Sequence, residues 1–304
     1  MGALLDALQY AVIPIFAFPV IGYIMGLRGT FSRAGAEGVN NYAVNLALPS
    51  LLFLMLSQLD FSSIEWRVMA IYLSSEIFIY ALSYLLMRRA FKLGPRQSLL
   101  IGMTSAFPNH VLLIAPILSA LYGPEYSDPV AIMIAFDAVL IFGGTIVILE
   151  VKQQAASRLD IAKGLANNRM LQAITAGLTW NFMGGALHEG VHHFLSIAAT
   201  TAPPASLFAL GVILSGISLR KLGGPVWTAA LLKDFAHPAF ALIFVAGLTN
   251  LSDVWSVTAP LIFAAPCGAM AFVLGLRYKI EIEVVAKAIV VSTVISMFTI
   301  AALA

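Results

Sequence analysis

The sequence predicts an all-α integral membrane protein of ten transmembrane helices, arranged as two inverted five-helix repeats whose fourth and ninth helices are broken where they cross. Three observations predict it. Of the 304 residues, 60% are hydrophobic and only 11% charged, with a mean hydropathy of +0.93, too few charges to cover a soluble domain of this size. The apolar residues gather into windows of about 20, the length that crosses the hydrocarbon core as a helix. Proline-centred patterns recur in register between the two halves of the chain, as an internal repeat requires.

The windows run 6–27, 38–58, 66–87, 97–121, 129–150, 168–187, 194–218, 225–248, 254–276 and 283–303. The N-terminal stretch MGALLDALQYAVIPIF has no basic n-region, so it is expected to belong to the first span and not to a signal peptide. Glycine, proline and charge punctuate the junctions, as in RGTFSRAGAEG, YGPEYSDP and RYKIEIE. Alternate junctions hold Arg28, Arg33, Arg88, Arg89, Lys92, Arg96, Lys152, Arg158, Lys163, Arg169, Arg220, Lys221, Arg277 and Lys279, fourteen of the seventeen basic residues, against Arg67 alone on the opposite side. The positive-inside rule then sets both termini outside, periplasmic for a bacterial inner membrane. A lone cysteine, Cys267, excludes an intramolecular disulfide and a cysteine-cluster metal site. No cofactor, resident metal, nucleic acid or catalytic residue is expected.

The repeat is read from two matches. In the second and seventh spans, Ala47, Pro49, Leu52 and Phe53 of ALPSLLF match Ala202, Pro204, Leu207 and Phe208 of APPASLF at a spacing of 155 residues. In the fourth and ninth spans, Pro108 of AFPNH matches Pro266 of AAPCG at a spacing of 158. Repeat one is expected over 1–155 and repeat two over 165–304, within one transmembrane unit. Five spans per repeat force the copies into opposite topology, and paired interruptions in inverted halves are the best sequence pointer to a transporter's binding site.

Proline removes a backbone donor and clashes with the preceding turn, so both helices stop or kink there. In lipid the freed groups need partners in protein or in a water-filled cavity. Two half-helix N-terminal ends meeting at mid-depth favour an anion such as a carboxylate. The expected substrate site is therefore Pro108, Asn109, His110 and Ser105 from the fourth span, Pro266, Cys267 and Gly268 from the ninth, and Asn45 from the second. Thr104 adds a further hydroxyl, and Asn45 enters because an amide at that depth needs a partner. Charges inside spans form a second set: Glu76, Asp137, Lys233, Asp234 and Lys287. Buried ionisable residues by default mark a pathway or a counter-ion pair. Glu76 and Lys233 stand at repeat-equivalent positions, and with Asp137 they are the expected groups for charge compensation or coupling. Lys233, Asp234 and Lys287 have snorkelling to the cytoplasmic face as the alternative.

One motif points elsewhere. HEGVH, residues 188–192, matches the H-E-x-x-H zinc signature, which would make an intramembrane metalloprotease. Glycine inside the motif weakens the helix that must align both histidines, the stretch falls in an external junction, and no third ligand is evident. A solvated loop is the expectation.

Four stretches in order, NLALPSLLFLMLSQLDFS, SAFPNHVLLIAP, APPASLFALGVILSG and LLKDFAHPAFALI, resemble the auxin efflux carrier family, which includes plant carriers and bacterial members of the malonate-permease type. The resemblance covers essentially the whole chain. It implies the fold of sodium/proton antiporters and bile acid transporters. There spans 1, 2, 6 and 7 form a scaffold, often dimeric, and spans 3–5 and 8–10 carry substrate by an elevator movement. It assigns Pro108 and Asn109 to the fourth-span Pro-Asn of the plant carriers, Pro266 to the ninth-span crossover proline, and Glu76 to a third-span acid near the site. The plant lysine one turn later is Tyr80 here, and Ala265 precedes Pro266 where the plant proteins have asparagine. The expected function is facilitative or secondary active transport of a small organic anion, a dicarboxylate such as malonate or an auxin-like acid. A proton or sodium ion is the expected coupling partner, and a homodimer the expected assembly. A sodium-coupled symporter of the bile acid type is the alternative.

Overall fold

A bilayer admits helices because each backbone group then finds its partner inside its own segment. In the computed structural model, which describes residues 13–152, 157–218 and 221–303, the apolar windows are helical and no strand occurs among the described residues. We number the helices α1 (Ile13–Leu27), α2 (Arg33–Ser57), α3 (Trp66–Arg89), α4 (Pro95–Ala106), α5 (His110–Leu121), α6 (Pro124–Leu149), α7 (Arg158–Ala166), α8 (Arg169–Met183), α9 (Glu189–Ser215), α10 (Gly224–Val245), α11 (Asp253–Phe263), α12 (Met270–Arg277) and α13 (Glu283–Leu303). Six of them, α2, α3, α6, α9, α10 and α13, are long and apolar enough to cross a membrane. Residues 6–12 of the first expected span and Arg220 lie outside the described residues.

Local chemistry sets the helix ends. Ser32 and Ser252 cap α2 and α11 by accepting the N–H of Gly35 and Trp255, and Asn168 caps α8 through Met170 and Leu171. Gly184 ends α8 in the left-handed conformation (φ 65°). Proline opens α4 at its first turn, and a second proline closes it: Phe107, the residue before Pro108, is extended (φ −69°, ψ 117°). The expected fourth span is thus two helices, α4 and α5, and the expected ninth is likewise split into α11 and α12.

Helices α1 and α9 pack backbone against backbone. A Cβ on Gly22 of α1 would fall 2.2 Å from the Phe208 carbonyl of α9, and one on Gly211 of α9 would fall 2.1 Å from the Pro19 carbonyl. Small residues that admit this approach drive helix association in lipid, where apolar burial alone gains little. Large apolar side chains such as Phe18, Ile77, Phe182, Ile243 and Phe298 project outward, as a lipid-facing exterior demands. The interior holds two apolar clusters, one around α2, α5, α6 and α11, the other around α4, α9, α12 and α13. The broken helices lie where these clusters meet.

The segment 188–192 corrects an expectation. It is the cap and first turn of α9, not a loop: His188 caps the helix by accepting the Gly190 N–H at Nδ1 (3.2 Å), and Glu189 stands in the first turn. A negative charge there suits the helix dipole and offsets the glycine. All of it is exposed, and among the described residues no three His, Cys, Asp or Glu side chains are grouped to hold a metal ion.

Candidate functional site at the crossing of two broken helices

The two breaks satisfy one another. Asn109 N–H donates to the Pro266 carbonyl (2.9 Å), Gly268 N–H donates to the Phe107 carbonyl (2.8 Å), and Pro108 and Cys267 face each other antiparallel. This clasp answers the demand that unwound backbone inside a membrane find partners. Gly268 is required for it, since a Cβ would lie 2.6 Å from the Phe107 ring and 2.8 Å from the Phe107 carbonyl oxygen. Cys267 N–H donates to Ser292 Oγ (2.8 Å), and Ser292 Oγ donates to Asp234 Oδ1 (2.8 Å). An acid on α10 therefore holds the second break in place through a hydroxyl on α13.

Beside the clasp lies a cavity of about 30 Å³, lined among others by Pro108, Asn109, His110, Asp137, Ala269 and Met270. That is room for one or two water-sized groups. It sits at the first residues of both α5 and α12, so the two half-helix N-terminal ends converge on it. Asn109 also lines a second, larger chamber of about 350 Å³, walled by apolar residues of α1, α9 and α13 such as Phe16, Leu207, Leu210, Val290 and Met297. The amide is thus shared by a small polar cavity and a large apolar one.

A buried polar cluster adjoins the small cavity. Tyr72 Oη of α3 lies 2.9 Å from Glu76 Oε1 and 2.8 Å from Asp137 Oδ2 of α6. His110 Nδ1 lies 3.3 Å from the same Asp137 oxygen. Near the same Tyr72 ring, Lys233 Nζ contacts His237 Nδ1 (2.8 Å) and donates to the Phe263 carbonyl (3.4 Å). The Tyr72 ring stacks on Phe263, with centroids 5.7 Å apart. Glu76, Asp137, His110, Lys233 and His237 are all buried, at most 2% exposed. Segments of wide π-helical turns begin at His110, directly after Asp137 and beside Lys233; such turns free backbone groups and occur often at functional sites.

The expected residues divide. Pro108, Asn109, His110 and Asp137 come together at the small cavity. Pro266, Cys267 and Gly268 form the clasp behind it. Ser105 is buried in α4, bonded to the Ile101 carbonyl and to Ser83 Oγ (2.9 Å), and Thr104 bonds the Leu100 carbonyl. Asn45 does not join the site: its amide turns back to the Asn41 carbonyl (2.8 Å) on its own helix and is exposed. A partner within its own helix meets the requirement that had suggested a deeper role. Glu76 and Lys233 do not pair with each other, because Tyr72 takes the carboxylate and His237 the ammonium. Lys287 reaches the Lys221 carbonyl (3.0 Å) and Glu283 (2.5 Å) at the start of α13, whereas Lys233 and Asp234 are buried. Sequence reasoning missed Tyr72 and His237, each one helical turn from a charge it contacts. The i, i+4 spacing was the available signal.

The chain resembles known proteins along its length. The family described as "Membrane transport protein" matches residues 8–168. The "Putative malonate transporter" of Rhizobium meliloti (strain 1021) is 22% identical over 303 residues, covering 96% of this chain and 93% of that protein. The "Lysosomal cholesterol signaling protein" of Mus musculus is 26% identical over 233 residues, 70% of this chain and 26% of that longer protein, so the chain spans about a quarter of its length. With its apolar helices and this match over more than half its length, the chain belongs to the membrane transport protein family, that of the auxin efflux carriers, and is an integral membrane transporter, not an enzyme.

Proposed function

We propose that the protein is a secondary transporter of a small organic anion that binds by a carboxylate at Asn109. The observation that carries this reading is the double exposure of Asn109, to the small cavity at the paired helix ends and to the apolar chamber. The small cavity suits a carboxylate head: the converging N-terminal ends supply partial positive charge, the Asn109 amide supplies donors, and His110 supplies a ring whose Nε2 has no hydrogen-bond partner among the described residues. The chamber suits the body of the anion. The malonate assignment of the Rhizobium relative supports a dicarboxylate, and the apolar walls support a hydrocarbon or aromatic body. Pro266, Cys267 and Gly268 position the second helix end. Glu76, Asp137 and Lys233 adjust the charge of the site as the anion comes and goes.

The working fold is ten spans in two inverted repeats, 1–155 and 165–304, with both termini outside. The antiparallel clasp of Pro108 with Cys267, the residue after the matching Pro266, supports that symmetry. Helices α1, α2, α8 and α9 form the scaffold, through which two copies associate, while α3–α6 and α10–α13 carry the anion across by an elevator movement. The glycine-packed α1–α9 pair supports a rigid scaffold, and the chamber between it and α13 supports a movable boundary.

The test is Asn109→Ala in proteoliposomes with malonate and aromatic acids as substrates. Loss of the amide's hydrogen bonds to a charged group costs about 1.5–3 kcal/mol, so binding is expected to weaken at least tenfold. Unchanged binding and uptake would overturn the site.

A further inference from the structure

We propose that Tyr72 is a proton-sharing bridge: its hydroxyl holds one proton in common with Glu76 and Asp137 and relays it to His110, so that one proton is taken up with each anion bound. This rests on the anion-transport reading and supplies its coupling ion.

The phenolic oxygen of Tyr72 is 2.9 Å from Glu76 Oε1 and 2.8 Å from Asp137 Oδ2. A phenol donates one hydrogen, and an ionised carboxylate donates none. Three oxygens in a row at these distances need two hydrogens. With both carboxylates ionised, one contact would set lone pair against lone pair in a buried site, where nothing screens it. One carboxyl therefore carries a proton and gives it to Tyr72 Oη, while Tyr72 gives its own to the other. Among the described residues Glu76 Oε2 and Asp137 Oδ1 have no hydrogen-bond partner, so the bridge is where both acids are held.

The bridge leads to the proposed anion site. Asp137 Oδ2 is also 3.3 Å from His110 Nδ1, and both residues line the small cavity with Asn109. The groups facing the bridge from α10 are Lys233 and His237, which contact each other at 2.8 Å, with the His237 ring 6.0 Å from that of Tyr72. Asp234 is engaged by Ser292, and Cys267 stands in the clasp. The Lys233 ammonium is thus engaged by His237 and the Phe263 carbonyl, whereas His110 lines the anion's cavity. A positive charge added beside Lys233 is opposed, whereas one added at His110 faces the arriving anion. When the anion enters, the Glu76 O–H bond breaks as its hydrogen passes to Tyr72 Oη, and the Tyr72 hydrogen passes to Asp137 Oδ2. With the resting hydrogen of the His110 ring on Nε2, that hydrogen then moves to the free lone pair of Nδ1, leaving a Glu76 carboxylate and a His110 imidazolium. Glu76 regains a proton from the aqueous phase, and release of the anion reverses each step.

Proton and anion binding are then reciprocal. Anion affinity is greatest at low pH and falls as pH rises, by up to about tenfold per pH unit where one proton is linked. The test uses full-length protein purified in detergent, with malonate as probe at pH 7.5 in weak buffer and an indicator dye to count protons. The native protein is expected to take up about one proton per malonate. Tyr72→Phe keeps the ring on Phe263 and is expected to bind malonate without proton uptake and without the pH slope. Infrared spectra of the protein without malonate are expected to show the carbonyl band of one protonated buried carboxyl, displaced in Tyr72→Phe. His110→Gln, which leaves the bridge intact, keeps the band and loses the uptake, and serves if the tyrosine variant does not fold. Absence of the band, native proton uptake by Tyr72→Phe, or malonate binding that follows sodium with no proton uptake would each overturn the proposal. A native protein that binds neither malonate nor aromatic acids would sink the anion reading, and the infrared band would still judge the bridge.

Discussion

Asn109 shows how little a single residue type says until its neighbours are placed. Pro108 already implies an interruption and an unusual environment for the amide that follows it, and that much was legible from SAFPNHVLLIAP. Asn45 looked comparable in sequence, yet it satisfies itself within one helical turn and faces outward. The difference is one of direction around a helix axis, which spacing from a proline does not encode. Asn45→Ala is accordingly expected to change stability by less than about 0.5 kcal/mol and to leave uptake intact, measured by thermal unfolding and proteoliposome transport. Lys233 should behave oppositely. It serves the Phe263 carbonyl and His237 inside the protein, so Lys233→Met leaves both unmet. A loss of about 1–3 kcal/mol is expected, read as a lower unfolding temperature in detergent.

At the scale of helices, the windows of about 20 apolar residues were readable because lipid imposes a length, and the two breaks because proline imposes a stop. The mutual clasp was not readable, since it depends on two carbonyls and two amides meeting from segments 158 residues apart. Glycine marks where such meetings are tightest. Gly268→Ala pushes a methyl group into the Phe107 ring and carbonyl and is expected to abolish transport while lowering stability by about 1–3 kcal/mol. Gly22→Leu is expected to separate α1 from α9 and to prevent isolation of folded protein. Gly38 supplies the contrast, because nothing lies within 4 Å of a Cβ there. In the exposed part of α2, Gly38→Ala should stabilise by about 0.5–1 kcal/mol. Thermal unfolding of Gly268→Ala and Gly38→Ala, beside the folded yield of Gly22→Leu, separates close approach from mere helix propensity.

For the whole molecule, composition and the paired proline breaks made the membrane class and the transporter reading accessible, whereas the cavities depend on how distant side chains pack against one another. In the proposed elevator movement, the chamber between α1, α9 and α13 is the boundary that slides. Tyr23 of α1 and Val290 of α13 both line it, so Tyr23→Cys with Val290→Cys, joined by a short thiol cross-linker, is expected to slow uptake at least tenfold. A reducible linker should restore uptake on reduction. The native thiol, Cys267, is buried and should not compete. Uptake that persists in the linked protein would rule out movement at this boundary.

The clasp also has a history in time. A ribosome adds about 5–20 residues per second, so Pro108 is made roughly 8–30 seconds before Pro266. For that interval the first break sits in or near the bilayer with its partner strand unborn, and water, lipid headgroups or the insertion machinery must occupy the place of the Pro266 carbonyl. A nascent chain stalled before residue 266 would therefore keep its fourth span partly outside the hydrocarbon, and completion of the ninth would draw both in together.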